Sequence, residues 1–149
     1  MALPLLAANL DAQPAERTGA LARAVEADLT ENILPFWMER TVDPDGGFYG
    51  TVLNDGSAVP GSDKGAILNA RILWTFSRAF RIYGLDAYKE TADRAADYYK
   101  TCFIDPKYGG VFWSVDAEGH PKETVKQTYA IAFGIYGLSE HFRATGDPG

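Results

Sequence analysis

"DPDGGFYGTVLNDG" at Asp43–Gly56 and "PKYGGVFWSVDAEG" at Pro106–Gly119 are two versions of one pattern, and the stretches C-terminal to them agree too. Lys64, Ser77, Phe80, Arg81 and Gly84 answer to Lys126, Ser139, Phe142, Arg143 and Gly146, each pair 62 residues apart. The Gly-Gly pairs, Gly46-Gly47 and Gly109-Gly110, stand 63 apart, a slip of one residue. A unit of this length holds two helices and a hairpin, and such a unit cannot bury its apolar faces alone. The chain therefore reads as the opening part of a larger ring or solenoid.

Outward from the hairpins the periodicity is helical. "RTGALARAVEADLTENILPFWMER" carries an apolar stripe of Leu21, Val25 and Leu29, continued by Ile33 and Trp37, with Pro35 expected to end or kink it. "FYGTVLN" reads as a short strand with Asn54-Asp55-Gly56 at the hairpin tip. Ser62-Asp63 offers an N-cap for a second helix over 63–83, which Gly84 ends. Asp86 is expected to cap a third helix reaching Cys102 or Phe103. After the second hairpin a fourth helix is predicted over 123–145, stopped by Gly146, with Asp63 and Glu123 as capping or first-turn acids.

The third helix has a polar face, whereas "KGAILNARILWTFSRAF" and "KQTYAIAFGIYGLSEHF" are apolar nearly all round, as enclosed helices are. Alternation of enclosed and half-exposed helices is the pattern of an α/α toroid, and Ala130, Ala132, Gly134 and Gly137 suit close approach of inner helices. An ordinary helical bundle with two hairpins is the plainer alternative.

Composition narrows the function. The 149 residues are 46% hydrophobic, 13% aromatic and 23% charged, with net charge −6, a folded profile without the basic stripe that nucleic acid needs. No stretch approaches a membrane span. "MALPLLAANLDAQPAERTG" has no basic residue before its apolar run, so residues 1–15 read as a variable or disordered leader, 16–149 as the folded part, and the protein as cytoplasmic. The single cysteine, Cys102, reads as a small buried apolar residue.

Few residues invite chemistry. Arg71 shares a helical face with Ile67, Trp74 and Arg78; such a guanidinium either braces two helices through an ion pair or faces a polar cavity, where it would suit an oxygen gaining negative charge. Tyr129, on a face with Phe133 and Tyr136, is either a core tyrosine or a site residue. Trp113 and Tyr49 in the hairpins, and Trp74, are aromatic candidates for sugar contact, against the alternative of cross-strand packing. His120 reads as a solvated turn residue. His141 reads as exposed or as a helix-dipole contact, and neither has metal-ligand spacing. No metal site, nucleophile–base set or carboxylate pair is predicted.

At "ILPFW…GGFYG…DKGAILNARILWTFS…YGGVFWSVD…K.TYAIAFGIYGLSE.FRATGD" the sequence resembles the N-acylglucosamine 2-epimerase superfamily, most closely its cellobiose 2-epimerase branch. The family more often has Gln-Ala-Phe where this chain has Ile131-Ala132-Phe133. The resemblance implies a mainly α fold, part of an (α/α)6 barrel with short hairpins between helices. It implies a cofactor-free sugar epimerase or aldose–ketose isomerase acting at C2 of an opened reducing aldose of the cellobiose, mannose or N-acylglucosamine type, by proton abstraction through an enediolate. Arg71 matches the family's assisting arginine and Tyr129 its tyrosine. Nothing matches the paired acid–base histidines, so the chain is expected to be an inactive N-terminal portion whose unfinished edges self-associate. The alternatives are a portion of a glycoside hydrolase or lyase on the same barrel, and a non-catalytic carbohydrate- or protein-binding module.

Overall fold

The computed structural model describes residues 14–147; most of the expected leader therefore lies outside the described residues. The chain divides into two compact units, one ending at Trp37 and one beginning at Met38. Helix α1 (Pro14–Asp28) runs into a π-helical turn (Leu29–Ile33) and then α2 (Leu34–Arg40). Pro35 does not end the helix. Its missing N–H leaves a carbonyl one turn back without a donor, and the wider π turn just before it accommodates that loss. Of the predicted stripe, Leu21, Val25 and Ile33 are exposed rather than buried.

In the second unit the first repeat opens with isolated antiparallel bridges, Val42 with Phe48 and Val52 with Ala58, in place of the expected strand. The tip at Asn54–Gly56 is as expected: the Leu53 and Gly56 amides close it, and Asp55 accepts from the Ser57 amide at 2.9 Å. A small antiparallel sheet comes next, in the order β1 (Lys64–Gly65), β2 (Ser114–Val115), β3 (Pro121–Glu123), so the segment that leads into α3 pairs with the second repeat's hairpin.

That sheet corrects two predicted helix starts. Helix α3 (Ala66–Tyr83) begins after Gly65 without a side-chain cap, because the Ala66 amide donates to the Trp113 carbonyl at 3.0 Å. The neighbouring strand thus satisfies a helix-start donor that Ser62 or Asp63 would otherwise have served. Asp63 instead pairs with Lys122 at 2.7 Å, and Glu123 lies in β3, so α5 (Thr128–Thr145) starts five residues later than its acid suggests. Helix α4 (Asp86–Tyr98) has Leu85 at its cap position with Asp86 in the first turn, and a π turn (Tyr99–Phe103) carries it to the predicted end. Gly84 and Gly146 both adopt left-handed φ and return their amides to Phe80 and Phe142 at 2.8 Å, ending equivalent helices in the same way.

Helix α3 packs against both α4 and α5. Ala66, Ala70, Tyr99, Phe103, Val111, Val115 and Ala130 form a buried cluster that includes a residue of β2. A Cβ at Gly137 would stand 2.7 Å from the Ala70 carbonyl oxygen, so the approach of α5 to α3 depends on that glycine. Enclosure of α5 is not met within this chain: Tyr129, Ile135 and Phe142 are 59%, 63% and 52% exposed.

The repeat has a charged clamp at each entry. Asp43 holds Lys64 at 2.7 Å, and Asp105 holds Lys126 at 2.7 Å. In each copy the other carboxylate oxygen accepts an amide two residues on, closing the turn that the Gly-Gly pair then unwinds at positive φ. The lysines also lie over rings, Lys64 over Tyr98 and Lys126 over Phe112. Hydrogen bonds from Lys126 and the Lys107 amide hold the Asp105 carboxyl down to about 2, against the opposing pull of burial. Because the folded value is depressed, its stabilising contribution is complete above the usual carboxylate pKa of about 4 and is lost as pH falls toward 2. Denaturant titrations between pH 5 and 2 should show a steeper loss of stability for the parent chain than for Asp105→Asn; equal slopes would contradict this assignment.

Candidate active-site face

The open side of the α3–α5 pair carries a run of rings. Trp74 on α3 stacks on Tyr136 of α5, with centroids 4.9 Å apart and planes 10° from parallel. Tyr136 meets Phe133 edge-on at 5.9 Å, and Phe133 meets Tyr129 edge-on at 5.0 Å. Helical spacing explains the order: 129, 133 and 136 fall on one face of α5, as 71 and 74 do on α3. Burial raises the Tyr136 phenol above its ordinary pKa, while the Arg71 guanidinium nearby pulls the other way. The structure thus gathers Arg71, Trp74 and Tyr129 along one ledge.

Arg71 itself is exposed and, among the described residues, belongs to no ion pair. The helix-bracing ion pair is made by others. Glu140 on α5, 5% exposed, is bonded by Arg81 of α3 and approached by Arg78 at 3.8 Å and Arg143 at 3.5 Å. Trp113, like Phe133 of the ring run, is half-buried against the core cluster, and its amide donates to the Glu123 carbonyl at 2.8 Å. Tyr49 lines a separate groove with Asp45, Pro60, Gly61 and Glu118.

Both histidines need correction. His141 is neither exposed nor a simple helix-end contact; it is 5% exposed, with Nε2 2.9 Å from Asp93 on α4, which in turn accepts from Lys89 at 2.6 Å. Its position on α5 faces the seam with α4, which sequence position alone does not reveal. His120 is exposed in its turn as expected, but it does have carboxylate neighbours: Asp116, Glu118 and His120 bring ligand atoms within 4.8 Å of one another. Their spacing of two residues along a hairpin is the signal that could have found them. Cys102 is half-buried, and burial pushes its thiol up, so it is no thiolate nucleophile. No described helix is long and apolar enough to cross a membrane.

A sequence profile of the N-acylglucosamine 2-epimerase (GlcNAc 2-epimerase) family matches residues 47–149, which include the ledge. The chain belongs to that family. It is 54% identical over 129 residues to a cellobiose 2-epimerase of Bacteroides fragilis, a match covering 86% of this chain and 33% of that protein. Among solved structures it is similar to a sugar epimerase from a ruminal bacterium (TM-score 0.82, 42% identity, 85% of this chain and 33% of that one). It is likewise similar to the cellobiose 2-epimerase of Spirochaeta thermophila (TM-score 0.83, 36% identity, 87% and 32%). The fold is that of the matching part of these neighbours, which are (α/α)6 barrels, and the chain spans about a third of the length of the relatives it matches.

Proposed function

We propose that residues 16–149 form the N-terminal part of the catalytic domain of a sugar 2-epimerase, and that the α3–α5 ledge is one wall of its pocket. The substrate is a neutral reducing aldose of the cellobiose type in its opened form. Removal of the C2 proton by a base leaves an enediolate. Arg71 stabilises its oxygen, and Tyr129 holds the substrate or that same oxygen. The observation that carries this reading is the exposed, unpaired guanidinium of Arg71 beside the ring ledge, on the helix whose sequence matches the family. A hydrolase or lyase reading lacks support: Glu140, the buried carboxylate on α5, is bound up by arginines rather than offered to a ligand.

The described residues supply no general base to this ledge, since His141 is buried on Asp93 and His120 sits in a hairpin turn. The 149-residue chain alone is therefore expected to be inactive, and its exposed α5 face to favour self-association. The test is a hybrid in which this chain replaces the matched 129-residue segment of the Bacteroides fragilis enzyme. In heavy water the hybrid should incorporate deuterium at C2 of cellobiose, and the chain alone should not. A folded hybrid that leaves C2 unexchanged, beside an active parent enzyme, rules the reading out.

A further inference from the structure

The near-parallel stack of Trp74 on Tyr136 has a consequence for Trp74. A sugar platform needs a free aromatic face, and one face of this indole is already covered by a phenol ring. Trp74 is also half-buried, whereas Tyr129 at the far end of the run is 59% exposed. The rings between them touch in unbroken order, from Trp74 through Tyr136 and Phe133 to Tyr129. This run crosses from α3 to α5 and links the two helices that carry Arg71 and Tyr129. Edge-to-face and offset contacts of this kind fix ring orientation because the ring quadrupoles favour those geometries.

We infer that Tyr136 and Trp74 are positioning residues rather than sugar-binding ones: their stack braces the α3–α5 seam and, through Phe133, fixes the orientation of the Tyr129 ring. The inference rests on the proposed roles of Arg71 and Tyr129, but the geometry can be tested separately from the activity. Arg71 sits one helical turn before Trp74 on α3, so the stack joins the helix that carries Arg71 to the helix that carries Tyr129. Displacing either ring would, through Phe133, let the Tyr129 ring turn. Glu140, one turn beyond Tyr136, is tied to Arg81 and does not compete for Arg71.

Two readouts decide it. In the 149-residue chain, Tyr136→Leu should shift the NMR signals of the Tyr129 ring, Trp74→Leu should do the same, and Tyr136→Phe should leave them near their original positions. Unmoved Tyr129 ring signals in both leucine variants would overturn the inference whether or not any hybrid is active. In the active hybrid, the leucine variants should lower kcat on the order of tenfold to a hundredfold at nearly constant KM, as loss of alignment does. Tyr136→Phe should restore the rate. A raised KM at unchanged kcat would make the stack a sugar platform and sink the proposal. An inactive hybrid counts against the proposed function alone, because the NMR comparison still stands.

Discussion

Lys64→Met is expected to destabilise the chain by about 3–5 kcal/mol, the usual loss when one member of a buried ion pair is removed. Lys64 is 1% exposed, its partner Asp43 is 6% exposed, and the ammonium also donates to the Gly46 carbonyl at 2.7 Å. Methionine fills a similar volume but leaves the carboxylate without its counter-ion in a site that water does not reach. Adding Asp43→Asn should recover part of the loss, since the stranded charge goes with it. Lys126→Met, at the equivalent point of the second repeat, should be distinctly milder because that lysine side chain is 30% exposed and water can replace it. Urea unfolding of the three variants measures the differences. Equal losses at Lys64 and Lys126 would show that depth of burial does not separate the two clamps.

Arg71→Ala in the active hybrid should lower kcat by about a hundredfold to a thousandfold, the range found when one donor to a developing oxyanion is deleted. KM should change little, because an arginine that waits for charge to develop contributes mainly to the transition state. Arg71→Lys should recover only part of the rate: an ammonium supplies the charge without the planar fork of donors. The alanine variant should leave stability nearly untouched, as Arg71 is exposed and braces nothing. Deuterium exchange at C2 measures the rate, and urea unfolding checks the fold. Exchange at the parental rate removes Arg71 from the mechanism.

The contrast between Arg71 and the arginines around Glu140 shows where reading residues in order stops. Arg71, Arg78 and Arg81 all lie on one helix, and any of them answers the description of a cation on an apolar helix. Periodicity places Arg71 and Arg78 on a common face, but does not say which face meets Glu140. That depends on the crossing of α3 and α5, which Gly137 permits by letting the two backbones approach. His141 escapes a local reading for the same reason: its environment is made by Asp93, 48 residues away on another helix. The helix starts differ from expectation because strand pairing between the repeats supplies partners that a local search for caps cannot anticipate.

What the order of residues determined by itself was the repeat, the hairpin tips, the left-handed glycine stops after α3 and α5, and the family to which the resemblance pointed. Each is written in local turn chemistry and helical period, which act over a few neighbours and so can be read from them. Tertiary structure alone decided the partners of the buried charges, the pairing of Lys64–Gly65 with Ser114–Val115 of the second repeat and the stacking of Trp74 on Tyr136. Those are contacts between residues far apart in the chain, selected by how closely two helices pack, and that distance is a property of the whole assembly rather than of any segment.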